Sequence, residues 1–278
     1  MRTQELAPAK INLALDILGR RADGYHELRM VMQTVSLCDV ITVEEGGTGF
    51  TLLTGEAFSL PADKVSMEQR AAEAFFAALG VPVPPLTVRL EKNIPAFAGL
   101  GGGSADVAAL LRCLRRLYAA GMPDEALRAI GLTVGSDVPF CVSGGTSLAE
   151  GRGERLTDLP PLPVCQIVLC KPDFGISTPE LFVLADGAVL SKRPDIAGLT
   201  AALQGGELTG VTHRLCNVFE EFLPERYREA LELRFAWEYS NQEIAKALKL
   251  NTSTVATLVA RGRKLLIEKL QTEGYCYE

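Results

Sequence analysis

The sequence predicts an α/β fold in which strands and helices alternate, followed by an all-helical tail. Apolar runs with strand character at 11–18 and 31–43 precede an amphipathic helical segment at 66–79. A glycine-rich run at 99–104 opens directly onto a second helical pattern. From residue 221 onward the pattern is almost continuously helical. The last part of the chain therefore belongs to a different structural class from the rest.

In the first 220 residues, the sequence predicts four strands, at 11–18, 31–43, 85–91 and 164–171. It also predicts two helices, at 66–79 and 105–119. Turn residues at 19–25 separate the first two strands. Ser66 is a suitable N-cap for the first helix, and Gly80 is a suitable stop. Segment 187–210 is glycine-rich and weakly patterned, so no element is assigned to it.

Composition is that of an ordinary globular protein. The 278 residues are 47% hydrophobic and 22% charged, which is enough chain for two modest domains. The seven cysteines are odd in number and never spaced as CxxC, which argues against a disulfide framework and a zinc site. No stretch approaches the roughly 18 apolar residues of a membrane span, and no signal-peptide cleavage pattern follows the first residues. We expect a cytoplasmic protein with no membrane partner and no metal site built from its side chains.

The glycine-rich run has the properties of an anion-binding loop. Unpaired N–H groups and the positive end of the macrodipole meet at a helix N-terminus, and glycines let the backbone approach a ligand closely. In PAFAGLGGGSAD (95–106) no Lys-Ser or Lys-Thr follows, so this is not the usual P-loop, nor does it match a dinucleotide-binding motif. The alternative is a flexible glycine turn. The segment resembles the second motif of the GHMP kinases, in which the loop wraps the phosphates of ATP.

Three further segments strengthen this resemblance. APAKINLAL (7–15) resembles the first GHMP motif, and GSDVPF (135–140) resembles the segment that carries the catalytic aspartate. RADGYHEL (21–28) is similar to the segment found in the branch of the family that acts on a cytidine-diphosphate-linked methylerythritol. Taken alone, Lys10 would be a solvated strand end, Asn12 a turn partner, His26 a surface histidine and Asp137 a turn former. Their joint occurrence favours the functional interpretation.

The resemblance implies a GHMP kinase fold whose N-terminal domain is ribosomal protein S5 domain 2-like. The implied reaction is ATP-dependent phosphorylation, with Mg²⁺, of the 2-hydroxyl of 4-(cytidine 5'-diphospho)-2-C-methyl-D-erythritol in the non-mevalonate isoprenoid pathway. The implied site residues are catalytic Lys10 and Asp137, ATP-binding Pro95, Gly99, Leu100, Gly101, Gly102, Gly103 and Ser104, and substrate-binding Asn12, Tyr25, His26, Thr178 and Phe182. For Phe182, simple core packing is an equal alternative.

The resemblance ends near residue 220, and the third glycine motif expected of a GHMP kinase does not follow. We therefore expect an ATP-binding domain at 1–158, an incomplete C-terminal domain at 159–222 and a separate tail at 223–278. Without the third motif, activity is expected to be impaired. A chimeric gene product is a further explanation of the abrupt change.

The tail resembles region 4 of a sigma factor, a helix-turn-helix. Its segments 223–235, 240–248 and 252–266 fit that pattern, and 244–270 holds six basic residues with one acid, in a chain of net charge −6. Ser240 and Glu243 are spaced as a capping box. The inner face is expected at Ile244, Ala245 and Leu248, and weak DNA contacts at Thr254, Thr257, Arg261, Arg263 and Lys264. The alternatives are a helical hairpin that only packs on the kinase part, and a DNA-binding protein whose kinase part is inactive.

Overall fold

The structure is a computed structural model. It describes residues 1–55, 65–96, 98–169, 171, 182, 185–186, 190, 192–222, 240–248, 252 and 255. The strands are β1 (Arg2–Arg20), β2 (His26–Glu45), β3 (Phe50–Thr54), β4 (Leu86–Glu91), β5 (Thr146–Gly151), β6 (Arg155–Asp158) and β7 (Cys216–Asn217). The helices are α1 (Met67–Ala78), α2 (Gly102–Tyr118), α3 (Asp124–Leu132), α4 (Val138–Ser143), α5 (Ile196–Gly205), α6 (Leu208–Thr212) and α7 (Asn241–Leu248), with a 3-10 helix at Val218–Phe222.

The described strands form a single mixed sheet built around the long hairpin of β1 and β2. These two strands are antiparallel over nearly their whole length. The other edge of β2 serves two neighbours, β4 along its second half and β5 along its first half. The order is therefore β3-β4-β2-β1-β7, with β5 and β6 branching from β2. Register shifts between Pro8 and Lys10 and between Asn12 and Ala14 bend this hairpin and re-aim the side chains there.

Apolar side chains cover the sheet on both faces. On one face, α1 and α2 bury Phe75, Phe76 and Leu111, each of them less than 2% exposed. Burial of such side chains stabilises the fold by roughly 1.5–3 kcal/mol each. A second, smaller cluster joins Val31 of β2 to Leu199 of α5. Because Val31 is flanked by Met30 and Met32 of the first cluster, strand alternation places the two clusters on opposite faces.

Most of the elements predicted from the sequence are confirmed. The two first strands are longer than predicted, and α1 begins and ends as expected. Ser66 accepts the backbone N–H of Gln69 at 3.0 Å and so caps α1. Gly80, with φ of +70°, follows the end of the same helix. Local chemistry is sufficient to determine these boundaries.

The predicted buried strand at 164–171 is wrong. Residues 164–169 and 171 adopt no strand, and the side chain of Val164 is fully exposed. An apolar run becomes a strand only where a neighbouring strand accepts its backbone hydrogen bonds. The weakly patterned segment 187–210 contains instead the helix α5 and the start of α6, and Asp195 caps α5 by accepting the N–H of Gly198 at 2.9 Å.

The tail is described at 240–248, 252 and 255. Here the predicted capping box is confirmed, because Ser240 N–H donates to Glu243 Oε2 at 2.8 Å and Glu243 N–H donates to Ser240 Oγ at 3.3 Å. Ile244 and Ala245 are buried, as predicted, together with Val255. The side chain of Leu248 and the predicted helix at 223–235 lie outside the described residues. Of the predicted helix at 252–266, only residues 252 and 255 are described, and both are helical. Within the described part of the chain, no helix has the length and apolarity needed to cross a bilayer.

Candidate active site

The glycine-rich loop leaves three backbone donors without acceptors at the start of α2. Gly101 precedes the helix with φ of +68°, and no side chain caps it. The N–H groups of Gly102, Gly103 and Ser104 donate to no acceptor in the described part of the chain. Three unpaired donors and the positive end of a 17-residue helix favour an anion at this point.

Lys10 contacts this loop through both its backbone and its side chain. Its backbone N–H donates to Leu100 O at 3.0 Å, which joins β1 to the loop. The residue is only 7% exposed. A Cβ added to Gly101 would lie 2.9 Å from Lys10 Cγ, closer than carbon atoms pack. Position 101 therefore needs glycine both for its positive φ and for the space that the lysine occupies.

Lys10 also connects the loop to Asp137. The Lys10 Nζ atom lies 3.3 Å from Asp137 Oδ2. Asp137 occupies the residue before α4, and both side chains of the pair are less than one third exposed. The two residues that the sequence predicts to be catalytic are 127 positions apart along the chain, and the fold brings them together beside the loop.

Asn12 adds an unsatisfied acceptor to the same strand. No register shift separates Lys10 from Asn12, so strand alternation places their side chains on the same face of β1. Asn12 Oδ1 is buried and has no hydrogen-bond partner in the described residues. A buried acceptor without a partner is costly, which indicates that a ligand donor completes it.

Aromatic side chains gather at the turn between β1 and β2. His26 and Phe182 stack with centroids 4.6 Å apart and planes 18° from parallel, and Phe219 contacts the edge of Phe182. His26 Nε2 lies 2.6 Å from Asp186 Oδ1, and this hydrogen bond lowers the pKa of the Asp186 carboxyl. Phe182 thus contacts His26, another residue predicted to bind substrate, and it also packs against the hydrophobic core. Its environment is therefore consistent both with substrate binding and with core packing.

Tyr25 lies next to His26 and is half exposed, with a relative exposure of 52%. The guanidinium carbon of Arg152 stands 4.6 Å above the centroid of its ring. Arg152 was not among the residues predicted from the sequence. Its place between Gly151 and Gly153 indicates a turn, but nothing in the local pattern indicates that this turn reaches Tyr25.

A buried charge cluster lies beneath the loop, and sequence reasoning missed it as well. Lys92 Nζ donates to Asp106 Oδ2 at 2.7 Å and to Asp39. Asp39 also accepts the backbone N–H of Ile94 at 2.7 Å. The cluster therefore ties β2 to the segment before the loop and to the helix after it. Its members are spread over 68 positions and match no short motif, so only the fold reveals it.

Burial dominates the electrostatics of this cluster. It raises the pKa of the Asp106 carboxyl to about 8, even though the charge of Lys92 opposes the change. At neutral pH, Asp106 is therefore mostly protonated, while Asp39 and Lys92 form the ion pair. The loop is thus supported by a cluster that is close to electrically neutral.

Several predicted residues fall outside the described residues. These are Thr178 in the substrate site and Thr254, Thr257, Arg261, Arg263 and Lys264 in the tail. Pro95 and Gly99 are described and lie in the segment leading to the loop, Gly99 with φ of +71°. Among the described residues, no group of three or more histidines, cysteines and acids is arranged to hold a metal ion.

Comparison with known proteins identifies the family. Residues 66–145 match the family described as GHMP kinases N terminal domain. A 4-diphosphocytidyl-2-C-methyl-D-erythritol kinase of Caldicellulosiruptor bescii is 38% identical over 221 residues, which cover 80% of this chain and 77% of that protein. The chain belongs to the 4-diphosphocytidyl-2-C-methyl-D-erythritol kinase family. A member of this family from Pelotomaculum thermopropionicum is 42% identical over 229 residues, which cover 82% of this chain and 79% of its own.

A solved structure of a family member agrees with the sequence relatives. The crystal structure of a 4-(cytidine 5'-diphospho)-2C-methyl-D-erythritol kinase superposes with a TM-score of 0.63 at 34% identity, covering 82% of this chain and 83% of that one. The GHMP kinase fold predicted from the sequence motifs is thereby confirmed.

The tail matches a different protein family from the rest of the chain. Residues 222–266 match the family described as Sigma-70, region 4. The sequence prediction of a sigma-like segment beginning at 223 is therefore confirmed as a resemblance. The chain thus combines a kinase family member with a segment that matches a second family.

Proposed function

We propose that the chain transfers the γ-phosphoryl group of ATP to the 2-hydroxyl of 4-(cytidine 5'-diphospho)-2-C-methyl-D-erythritol, a step of the non-mevalonate isoprenoid pathway. The observation that carries this proposal is the position of Lys10. Its side chain lies against Gly101 of the loop, and its Nζ is 3.3 Å from Asp137. One cation therefore joins an anion-binding loop to a carboxylate that can receive a proton. The relatives described above are 4-diphosphocytidyl-2-C-methyl-D-erythritol kinases, which supports the choice of substrate.

The loop is proposed to hold the β- and γ-phosphates of ATP. The three unpaired N–H groups at Gly102, Gly103 and Ser104 supply the donors, and they are not capped because Gly101, at the N-cap position, has no side chain. The Ser104 hydroxyl supplies a further polar contact. The remaining predicted loop residues, Pro95, Gly99 and Leu100, shape the approach to these donors.

The chemical step needs positioning and charge neutralisation more than covalent participation by the protein. The acceptor oxygen forms a bond to the γ-phosphorus, and the bond from that phosphorus to the β,γ-bridging oxygen breaks, so ADP leaves. The proton of the acceptor hydroxyl passes to the Asp137 carboxylate. Lys10 holds Asp137 in place and neutralises the charge that develops on the transferred group.

Substrate recognition is assigned to the far end of β1 and the adjoining turn. The stacked rings of His26 and Phe182, with Tyr25 next to His26 in the chain, are the aromatic side chains on which the cytosine would stack. Asn12 Oδ1, buried and unpaired in the described residues, would accept a hydrogen bond from a sugar-alcohol hydroxyl. Thr178 is assigned to the same substrate from the sequence motif alone.

Mg²⁺, when bound with ATP, neutralises charge on the β- and γ-phosphates. Since no group of three or more histidines, cysteines and acids in the described residues is arranged to hold a metal ion, the ATP phosphates would supply most of its ligands, and Ser104 is the protein oxygen we assign to it. The chain's own contribution to the transfer rests on Lys10, Asp137 and the loop donors.

A second candidate function, DNA binding by the tail, is favoured by two observations. Residues 222–266 match the Sigma-70 region 4 family. The capping box of Ser240 and Glu243 starts a helix at the place that a helix-turn-helix requires. We propose three units with boundaries at 1–158, 159–222 and 223–278, the first ending with β6, and assign only weak DNA binding to the third.

The proposal is tested by measuring ADP formation by the full chain with ATP, Mg²⁺ and the cytidine-diphosphate-linked methylerythritol. We expect ADP release that depends on this acceptor and a phosphorylated product in equal amount. A reaction without acceptor serves as the control for ATP hydrolysis. ATP binding without any acceptor-dependent turnover would contradict the kinase assignment and favour the alternative of an inactive kinase part attached to a DNA-binding tail.

A further inference from the structure

Arg152 lies at the tip of a rigid turn between β5 and β6. Gly151 and Gly153 on either side have φ of +74° and +109°, conformations that side chains rarely adopt. The backbone N–H of Arg152 donates to Glu154 Oε2 at 2.5 Å, and that of Gly153 donates to Glu150 O at 3.1 Å. The turn therefore holds the start of the Arg152 side chain in one position.

The same turn is fastened to the turn that carries Tyr25. Arg155 Nη2 donates to Glu27 Oε1 at 2.5 Å, and Arg21 Nη1 donates to Glu27 Oε2 at 2.6 Å. This clamp fixes the distance between Arg152 and Tyr25. The guanidinium carbon of Arg152 stands 4.6 Å from the centroid of the Tyr25 ring.

Among the described residues, the partly exposed Arg152 guanidinium makes no hydrogen bond and no close ion pair. It interacts electrostatically with the Asp23 carboxylate, but without a hydrogen bond to it. Nearby arginines differ in this respect, since Arg21 and Arg155 are both paired with Glu27. Asp23, an acid on the Tyr25 turn, accepts instead from Arg21 Nε at 3.1 Å and from Tyr25 N–H at 3.2 Å. Asp23 therefore balances part of the charge of Arg152 but accepts from none of its N–H groups, and these unused donors of a partly buried guanidinium are available to an anionic ligand.

The position of the turn indicates which anionic group of the substrate would bind Arg152. A Cβ added to Gly153 would lie 3.7 Å from Ser136 O and 4.0 Å from Asp137 Oδ1. The turn that carries Arg152 therefore reaches Tyr25 through the Arg152 guanidinium and Asp137 through Gly153. Under the proposed function, the base of the substrate lies at the first point and its reacting hydroxyl at the second. The diphosphate is the group that joins them.

We infer that Arg152 binds the diphosphate of the cytidine-diphosphate-linked substrate, an inference that rests on the proposed function. The planar guanidinium matches phosphate oxygens with two parallel hydrogen bonds. Its contact with the Tyr25 ring holds that plane in place before the substrate arrives. Arg152 thereby distinguishes diphosphate-linked substrates from cytidine compounds that lack phosphate.

The experiment compares CDP with cytidine as probes, using ligand-observed NMR titration because it reaches millimolar affinities. For the full-length Arg152→Gln variant, we expect the affinity for CDP to fall roughly 10-fold to 100-fold, the range for removing a charge-assisted hydrogen bond. The affinity for cytidine should change less than about 2-fold. Arg152→Lys keeps the charge but loses the planar fork, so its CDP affinity should lie between those of wild type and Arg152→Gln.

Arg89→Gln is the matched control, since it removes one positive charge from an exposed position on β4 that belongs to no part of the proposed site. It should bind both probes like the wild type. Unchanged ATP affinity and an unchanged thermal midpoint verify that Arg152→Gln is folded. In turnover, Arg152→Gln should raise KM for the acceptor more than it lowers kcat.

Two results would overturn the inference while leaving the proposed function intact. One is a wild type and an Arg152→Gln variant that bind CDP equally well. The other is an equal loss of CDP and cytidine affinity, because Arg152 would then act on the base through Tyr25. If the wild type binds neither probe, the cytidine site itself is wrong, and the role of Arg152 is overturned with it.

Discussion

The kinase portion, residues 1–222, and the described part of the tail differ in the range of the polar contacts that join their residues. In the kinase portion, Lys10 meets Leu100 and Asp137, so the site is assembled from segments far apart in sequence. In the described tail, the polar contacts join Ser240 to Glu243 within a single helical turn. A contact between residues a few positions apart can be recognised from a short sequence motif. The proposed active site of the kinase portion depends instead on contacts between residues far apart in the sequence. Substitutions in the two regions should therefore differ greatly in effect.

The largest effect is expected in the kinase portion from Asp137→Asn. Asparagine keeps the size of the side chain but cannot receive the proton, so kcat should fall roughly 10²-fold to 10⁴-fold. The dissociation constant for ATP, measured by calorimetry, should stay nearly unchanged because the loop is intact. Asp158→Asn, at an exposed position at the end of β6, is the control and should keep full activity. Full turnover by Asp137→Asn would refute the role assigned to Asp137.

The second largest effect is expected from a substitution in the glycine-rich loop that weakens ATP binding. Two glycines with nearly equal backbone conformation, one in the loop and one outside it, provide a variant and its matched control. Gly101 has φ of +68° and would place a Cβ 2.9 Å from Lys10 Cγ, whereas Gly80 has φ of +70° and open space around it. Both Gly→Ala changes should cost about 1 kcal/mol of stability through backbone strain. Only Gly101→Ala should also weaken ATP binding, by roughly 10-fold or more, because it displaces Lys10 from the loop.

Calorimetric titration of both variants with ATP decides between strain and a specific role. If Gly80→Ala weakens ATP binding as much as Gly101→Ala does, the loss reflects general destabilisation. Equal ATP affinity in Gly101→Ala and the wild type would remove the loop from the phosphate site.

A smaller effect is expected from Asp106, and it depends on pH. Burial raises the pKa of this carboxyl from 3.8 to about 8, so between these values the folded protein holds a proton that the unfolded chain releases. The stability contributed by this proton is complete below pH 3.8 and is lost as pH rises toward 8, with a slope of at most about 1.4 kcal/mol per pH unit. Asp106→Asn removes the titrating group and should flatten that part of the curve.

Urea unfolding of the wild type and of Asp106→Asn at pH 5, 6, 7 and 8 measures this slope directly. Asp158→Asn again serves as the control, since its exposed carboxyl should leave the slope unchanged. An identical pH dependence in the wild type and Asp106→Asn would show that Asp106 is ionised in the folded protein.

The smallest effect is expected in the tail. Binding of the full chain to a promoter-like duplex should be weak, because the net charge of −6 opposes approach to DNA. Each neutralised phosphate contributes about −0.9 to the slope of log K against log salt concentration. Replacing Arg261, Arg263 and Lys264 by glutamine should flatten the slope by about 0.9 for each phosphate that these side chains neutralise in the wild type.

A fluorescence titration at several salt concentrations tests this prediction, with Arg89→Gln as the control that removes one positive charge from the kinase portion. A slope reduced equally by Arg89→Gln would place the DNA contacts outside the tail. No binding at low salt by the full chain would leave the tail without a DNA-binding role, and the comparison of the two regions would then be between a catalytic part and a structural one.

The amino-acid sequence by itself determined the features that depend on neighbours in the chain. The N-cap at Ser66, the glycine loop before α2 and the capping box at Ser240 were all predicted, because each is built from residues within a few positions. The motifs containing Lys10 and Asp137 were recognised too, and with them the family. The separation of the tail from the kinase portion was visible as a change of pattern near 221.

Only the tertiary structure decided which distant groups meet. It placed Lys10 beside both Gly101 and Asp137, set Arg152 over Tyr25, and buried Asp39, Lys92 and Asp106 under the loop. It also left 164–169 outside the sheet, although the apolar run there had predicted a strand. The physical reason is common to these cases. A strand exists only if another strand completes its hydrogen bonds, and a pKa or a binding site depends on charges brought close in space, neither of which a local pattern of residues records.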